Sequence, residues 1–181
     1  IAKEKLALTS INMENNIGLA FTYNEPTIWY EYVYDTAKYL KENFPFYVIV
    51  LITNGYIEEE ALKKLLPYVD AMNIDLKSFN EQYYKELCGG RLKPVLKSIE
   101  LAAKSCHLEI TTLLVSKEND NLTEIENIAK FISSIDSNIP LHLTRYFPNY
   151  KLNHPATDKE ILYKSLEIAR KYLSYVNLGN I

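Results

Sequence analysis

Cysteine is scarce in this 181-residue chain, with Cys88 and Cys106 the only two. Two scattered thiols cannot supply a structural zinc site or the three to four thiolates of an iron–sulfur cluster, and they form no disulfide framework. Free cysteines of this kind suit a reducing, cytoplasmic setting. Positive charge is not in excess either. Twenty Lys and Arg against 23 Asp and Glu leave a formal charge of -3, so no nucleic acid partner and no anionic membrane surface is expected. The longest apolar stretch, Phe44 to Ile52, contains Pro45 and falls far short of the roughly 20 residues that span a bilayer. No basic segment followed by an apolar one opens the chain as an export signal would. The first residue is Ile1, inside what reads as a helix to Thr9, and a start of this kind is expected of a fragment.

The length predicts a single domain over residues 1–181, long enough to bury roughly 70% of its unfolded surface but short for a complete eight-stranded (β/α) barrel. Runs rich in β-branched and aromatic residues predict strands at Ile17 to Tyr23, Phe46 to Ile52, Ala71 to Leu76, Leu108 to Val115, Ile139 to Tyr146 and Tyr175 to Leu178. Each gap between them can hold one crossover helix, which makes consecutive strands parallel neighbours. Thr123 with Glu126, and Thr157 with Glu160, read as capping boxes. Glu58, Glu59 and Glu60 suit the positive first turn of another helix. The fold class is therefore α/β, an open or partial barrel of about six parallel strands.

In such a sheet the ligand lies beyond the carboxyl ends of the strands, so the residues that finish each strand are the informative ones. These are Asn24 and Glu25, then Thr53 and Asn54, Asp75 and Lys77, Thr111 and Thr112, His142 with Thr144 and Arg145, and finally Asn177, Gly179 and Asn180. Asn24 and Glu25 offer acceptors to an ammonium group, Lys77 or Arg145 could pair a carboxylate, and Asn54 and Asp75 could hold ribose hydroxyls. An amino-acid end joined to a nucleoside end describes S-adenosylmethionine. Plainer roles fit the same residues one by one. Pro26 suits a first helical turn after an Asn-Glu cap. Asn54 and Gly55 tolerate the positive φ of a turn, and Asp75 with Lys77 can be a structural ion pair. His142 reads as a hydrogen-bonded core histidine, and Cys88 to Arg91 as a turn ahead of a helix containing Pro94 rather than a reactive thiol site.

Taken in order, these motifs resemble the radical S-adenosylmethionine superfamily, in the branch of pyruvate formate-lyase activating enzyme and its AmmeMemoRadiSam-type relatives. The segment AFTYNEP, Ala20 to Pro26, looks like a variant of the family's Gly-Gly-Glu motif, TNGY (Thr53 to Tyr56) like its third-strand end, and NIDLK (Asn73 to Lys77) like its fourth. Leu87 to Ala102, LCGGRLKPVLKSIELA, is similar to the same branch. The resemblance implies S-adenosylmethionine contacts at Asn24, Glu25, Thr53, Asn54, Asp75, Lys77, Thr111 and Arg145. It further implies reductive cleavage to a 5'-deoxyadenosyl radical for hydrogen abstraction, a glycyl-radical enzyme being one potential protein substrate. The family's CxxxCxxC motif, which binds a 4Fe-4S cluster, has no counterpart here, so the resemblance implies a cluster in the intact protein only and a fragment lacking the first βα unit. Ile52 also replaces an acidic residue common before TNG. A non-catalytic binding barrel is one alternative. An Asn-Glu-Pro glycosidase is another, although it needs a second carboxylate about 5 to 5.5 Å from the first, and Asp75 is the only candidate.

Overall fold

The computed structural model describes residues 2–181; Ile1 lies outside the described residues. Six strands form one sheet: β1 (Gly18–Phe21), β2 (Val48–Thr53), β3 (Ala71–Asp75), β4 (His107–Leu114), β5 (Leu141–Arg145) and β6 (Val176–Gly179). They lie in chain order and every pairing is parallel. Parallel neighbours in chain order need crossovers of one hand, which place the intervening helices on one face. The helices are α1 (Lys3–Ile11), α2 (Tyr30–Asn43), α3 (Glu59–Leu65), the short α4 (Glu81–Tyr83), α5 (Leu92–Ala102), α6 (Leu122–Ile135) and α7 (Lys159–Ala169).

Alternation along the strands separates an outer, helix-covered face from an inner one. On β4, Leu108, Ile110, Thr112 and Leu114 are buried outward, whereas His107, Glu109, Thr111 and Leu113 face inward and remain partly or fully exposed. Ile49 and Leu51 of β2, Met72 and Ile74 of β3, and Leu141 and Leu143 of β5 continue the outer core. It is closed by Leu62, Ile99, Ile125, Ile128, Ile132 and Leu162 from the helices. Full burial of each such side chain stabilises by about 1.5–3 kcal/mol.

Both expected capping boxes are displaced. Asn121, not Thr123, caps α6 and accepts from the Glu124 N–H at 2.9 Å. Asp158, not Thr157, caps α7 through the Glu160 N–H at 2.8 Å. Thr157 is buried and needed elsewhere: its Oγ1 accepts from the Tyr146 N–H at 2.9 Å and donates to the Leu114 carbonyl, tying the ends of β4 and β5. Glu58 is the N-cap residue of α3, leaving Glu59 and Glu60 in its first turn. The expected turn at Cys88 is the end of a π-helical turn, Tyr84–Cys88, stopped by Gly89 at φ 66°. No helix among the described residues is long and apolar enough to cross a membrane.

Candidate functional site

The carboxyl end of β1 turns on two consecutive left-handed residues, Tyr23 (φ 65°) and Asn24 (φ 50°). These two positions stand where the resembling motif carries glycines, the residue that adopts such φ without cost. Glu25 follows and is wired to the next strand. Its Oε1 accepts from Thr27 N–H (3.0 Å), Thr27 Oγ1 (2.7 Å) and Thr53 Oγ1 (2.6 Å), and its Oε2 from Asn54 N–H (2.7 Å). Oε1 thus takes three donors and Oε2 one, so this chain's own donors saturate Oε1 and leave Oε2 one further acceptor position. The capping role and the site role of Asn-Glu-Pro are thus one device: Glu25 caps the 3₁₀ turn Pro26–Trp29 and fixes the end of β2. Thr53 points to the outer face and is 2% exposed, so it acts through Glu25. Gly55 adopts φ 71°, and a Cβ there would lie 2.7 Å from Ile74 Cγ2, so the TNG turn requires its glycine.

After β3 the chain continues without ladder partners, and side chains replace them. Thr112 Oγ1 donates to the Leu76 carbonyl (2.8 Å) and Asn119 Nδ2 to the Lys77 carbonyl (2.6 Å). The Lys77 N–H donates to Tyr84 Oη (3.2 Å), and Glu124 accepts from Ser78 Oγ and from the Phe79 N–H. Lys77 is therefore held on both sides of its backbone, and its Nζ pairs with Asp75 Oδ2 at 2.9 Å. Sequence reading passed over Asn119, Tyr84 and Glu124, because nothing in their local spacing marks a contact 7 to 46 positions away.

These strand ends open on a cavity of about 890 Å³. Glu25, Asn54 and Lys77 line it on the sheet side, and Tyr83, Leu87, Cys88, Tyr146 and Tyr150 are among its other walls. That volume falls in the range of small-molecule sites. Burial raises the Tyr83 and Tyr84 hydroxyl pKa values above the ordinary phenol range and raises that of the Cys88 thiol, so these groups stay protonated near neutrality. Burial likewise pushes Cys106 up to about 11. Cys88 is thus a wall group in its thiol form.

The remaining expected residues lie off the cavity wall. Thr111 faces inward and donates to Asn73 Oδ1 at 2.8 Å. Arg145 shares the outward parity of Leu141 and Leu143; its Nε donates to the Thr157 carbonyl (2.8 Å) and its guanidinium stacks 4.7 Å from the Phe147 ring centre. His142, expected to be a hydrogen-bonded core histidine, is hydrogen-bonded and faces inward, part-buried, with Nε2 2.7 Å from Glu109 Oε2. His154 pairs with Glu118 at 2.7 Å. Among the described residues no group of three or more His, Cys, Asp or Glu side chains could hold a metal ion.

Residues 6–132 match the family model described as Radical SAM superfamily. Two proteins of Methanocaldococcus jannaschii are similar. MJ0808, which bears the name of an uncharacterized protein, is 43% identical over 168 residues, covering 91% of this chain and 49% of its own. MJ1632, whose name proposes a glycyl-radical enzyme activating enzyme, is 38% identical over 159 residues, covering 84% of this chain and 59% of its own. The chain thus spans about half the length of the curated relatives it matches. Among solved structures, a domain of pyruvate-formate lyase-activating enzyme from Bacteroides vulgatus superposes with a TM-score of 0.74 at 20% identity, covering 90% of this chain and 99% of that one. Streptococcus suis SuiB bound to its precursor peptide SuiA gives 0.75 at 12% identity, covering 100% of this chain and 42% of the other. At these identities the two structures speak for the fold.

Proposed function

The chain belongs to the radical SAM superfamily, and from that premise we propose that the cavity at the carboxyl ends of its strands binds S-adenosylmethionine. The observation that carries this reading is the Glu25 hub, which locks the ends of β1 and β2 together and faces Lys77 across the same cavity.

Each contact follows from what the side chains have left to offer. Glu25 Oε2 accepts one bond and keeps an acceptor position for the cofactor ammonium, beside the backbone of Tyr23 and Asn24, which Glu25 holds in place. Asn54 Oδ1 accepts from the Tyr56 N–H at 2.8 Å, leaving its Nδ2 to donate to a ribose hydroxyl. Lys77 Nζ uses one donor on Asp75 and keeps two for the carboxylate. Asp75 Oδ1 remains an acceptor for the amino or hydroxyl groups, with Thr111 beside it on the same rung, on β4. Bound there, S-adenosylmethionine would supply a sulfonium open to one-electron reductive cleavage to methionine and a 5'-deoxyadenosyl radical, the electron coming from the 4Fe-4S cluster that the family implies for the intact protein. The protonated, largely buried Tyr84 and the apolar walls keep water from that end of the cavity. The described residues offer no ligand set for an iron–sulfur cluster, so no cluster thiolate is assigned to this chain.

For the intact protein the reaction we propose is that of a radical SAM oxidoreductase, with a protein substrate of the glycyl-radical enzyme type; the name borne by MJ1632 supports this. The glycosidase reading is set aside, because it needs a second carboxylate as nucleophile and Asp75, the only candidate, is ion-paired with Lys77 at 2.9 Å. The direct test is calorimetry with S-adenosylmethionine on cluster-loaded full-length protein. Affinity should fall at least about tenfold on Lys77→Ala, the loss of one charge-assisted contact. Unchanged affinity after Glu25→Gln together with Lys77→Ala would sink the site, and binding without cleavage would favour a binding barrel.

A further inference from the structure

The inner face of the sheet changes character halfway across. From β1 to the start of β3 it presents Gly18, Ala20, Val48, Val50, Ile52 and Ala71, and from there to β6 it is mainly polar, with Asn73, Asp75, Glu109, Thr111, His142 and Asn177 beside the apolar Leu113. The inner face is partly open to solvent, so polarity alone marks nothing; what sets the second set apart is that its side chains are paired with one another across the strands, Thr111 with Asn73 and Glu109 with His142. Stability does not call for such pairing, since partly exposed ion pairs contribute about 0–1 kcal/mol.

Within the polar half, Glu109 stands between two imidazoles, His142 Nε2 at 2.7 Å from one oxygen and His107 Nε2 at 3.1 Å from the other. The hydrogen bond from His107 and then that from His142 hold the Glu109 carboxyl below its usual pKa, so it is ionised near neutrality and can only accept. His142 in its neutral form must then carry its proton on Nε2, which leaves Nδ1 as a bare acceptor with no hydrogen bond among the described residues. Asn73 spends its Oδ1 on Thr111 and keeps its Nδ2 as a donor. Asp75, Thr111, His142 and Asn177 occupy one rung of the sheet, which sets His142 two strands, about 10 Å, from the Asp75 backbone.

We propose that the Glu109–His142 pair and Asn73 form a substrate subsite for an amide-bearing compound, its N–H received by His142 Nδ1 and its carbonyl by Asn73 Nδ2. The subsite rests on the reading above for its distance from the cofactor, but not for its chemistry. Glu109 is a positioning residue here, and His142 the group that touches substrate.

The test is nitrogen NMR of the histidine side chains in this chain, titrated with N-acetylglycinamide as the probe. The His142 ring should show the Nε2–H tautomer, and its Nδ1 resonance should move on titration while that of His154 stays. Glu109→Gln, which keeps the shape but frees the tautomer, should weaken that response about tenfold. His142→Gln should leave S-adenosylmethionine affinity unchanged. An Nδ1–H tautomer, equal movement at His142 and His154, no movement at either, or an undiminished response in Glu109→Gln would each overturn the subsite. Loss of cofactor binding sites with the amide response intact would overturn the cofactor reading and leave the subsite standing.

Discussion

The two faces of β4 are built from alternate residues of the same eight, and they differ in every respect that matters. Outward, Leu108, Ile110, Thr112 and Leu114 are 0–4% exposed and pack under the helices. Inward, His107, Glu109, Thr111 and Leu113 keep contact with solvent, and Thr111 and Glu109 hydrogen-bond to Asn73 of β3 and His142 of β5. The contrast teaches that the outer face secures the fold while the inner face is spared that duty and can be spent on recognition.

The strongest way to break this division is Ile110→Ala on the outer face, expected to cost about 2–5 kcal/mol by urea denaturation. Its inward neighbour, Thr111→Ala, should cost less than about 1 kcal/mol, the value of one partly exposed hydrogen bond. Equal losses would erase the distinction. Glu25→Ala comes next: it strands the Asn54 N–H and the buried Thr53 hydroxyl, so a loss of about 2–3 kcal/mol is expected in the same experiment. Tyr23→Gly should do the opposite and stabilise by about 1 kcal/mol, because the exposed Tyr23 pays for its left-handed φ and gains no packing. The smallest effect is in pH. The Glu109 pKa is depressed in the folded state, so its stabilisation is complete above the unfolded carboxylate pKa of about 4.3 and fades as pH falls through the folded value. Partial exposure keeps it under about 1 kcal/mol, and Glu109→Gln should flatten that part of a stability profile measured between pH 3 and 6, the range spanning about one to two units either side of that pKa.

The outer face was the more legible one from sequence. All six strands were expected and found, because β-branched runs in a helix-covered sheet announce themselves, although β2 begins at Val48 and leaves Phe46 almost fully exposed. Caps were harder. Thr157 fits a capping box by spacing, yet the need to join Tyr146 to Leu114 draws its hydroxyl away and Asp158 takes the cap. At the site, the strand-end motifs located Glu25, Asn54 and Lys77 on one cavity, but not that Glu25 would take four hydrogen bonds from its own chain. Arg145, expected as a cofactor contact, shares the outward alternation of Leu141 and Leu143 and bonds the Thr157 carbonyl, and Glu109 went unnoticed. Its partner His142 is 33 positions away and meets it only through the Ile110–Leu141 register, which no local pattern encodes.

The chain-order sheet has a kinetic corollary. Each strand pairs with the one made just before it, so no strand needs to wait for a distant segment, and every loop closed during folding is a single crossover of modest entropic cost. Assembly can then follow synthesis from one end to the other, the completed edge serving as the template for the next strand.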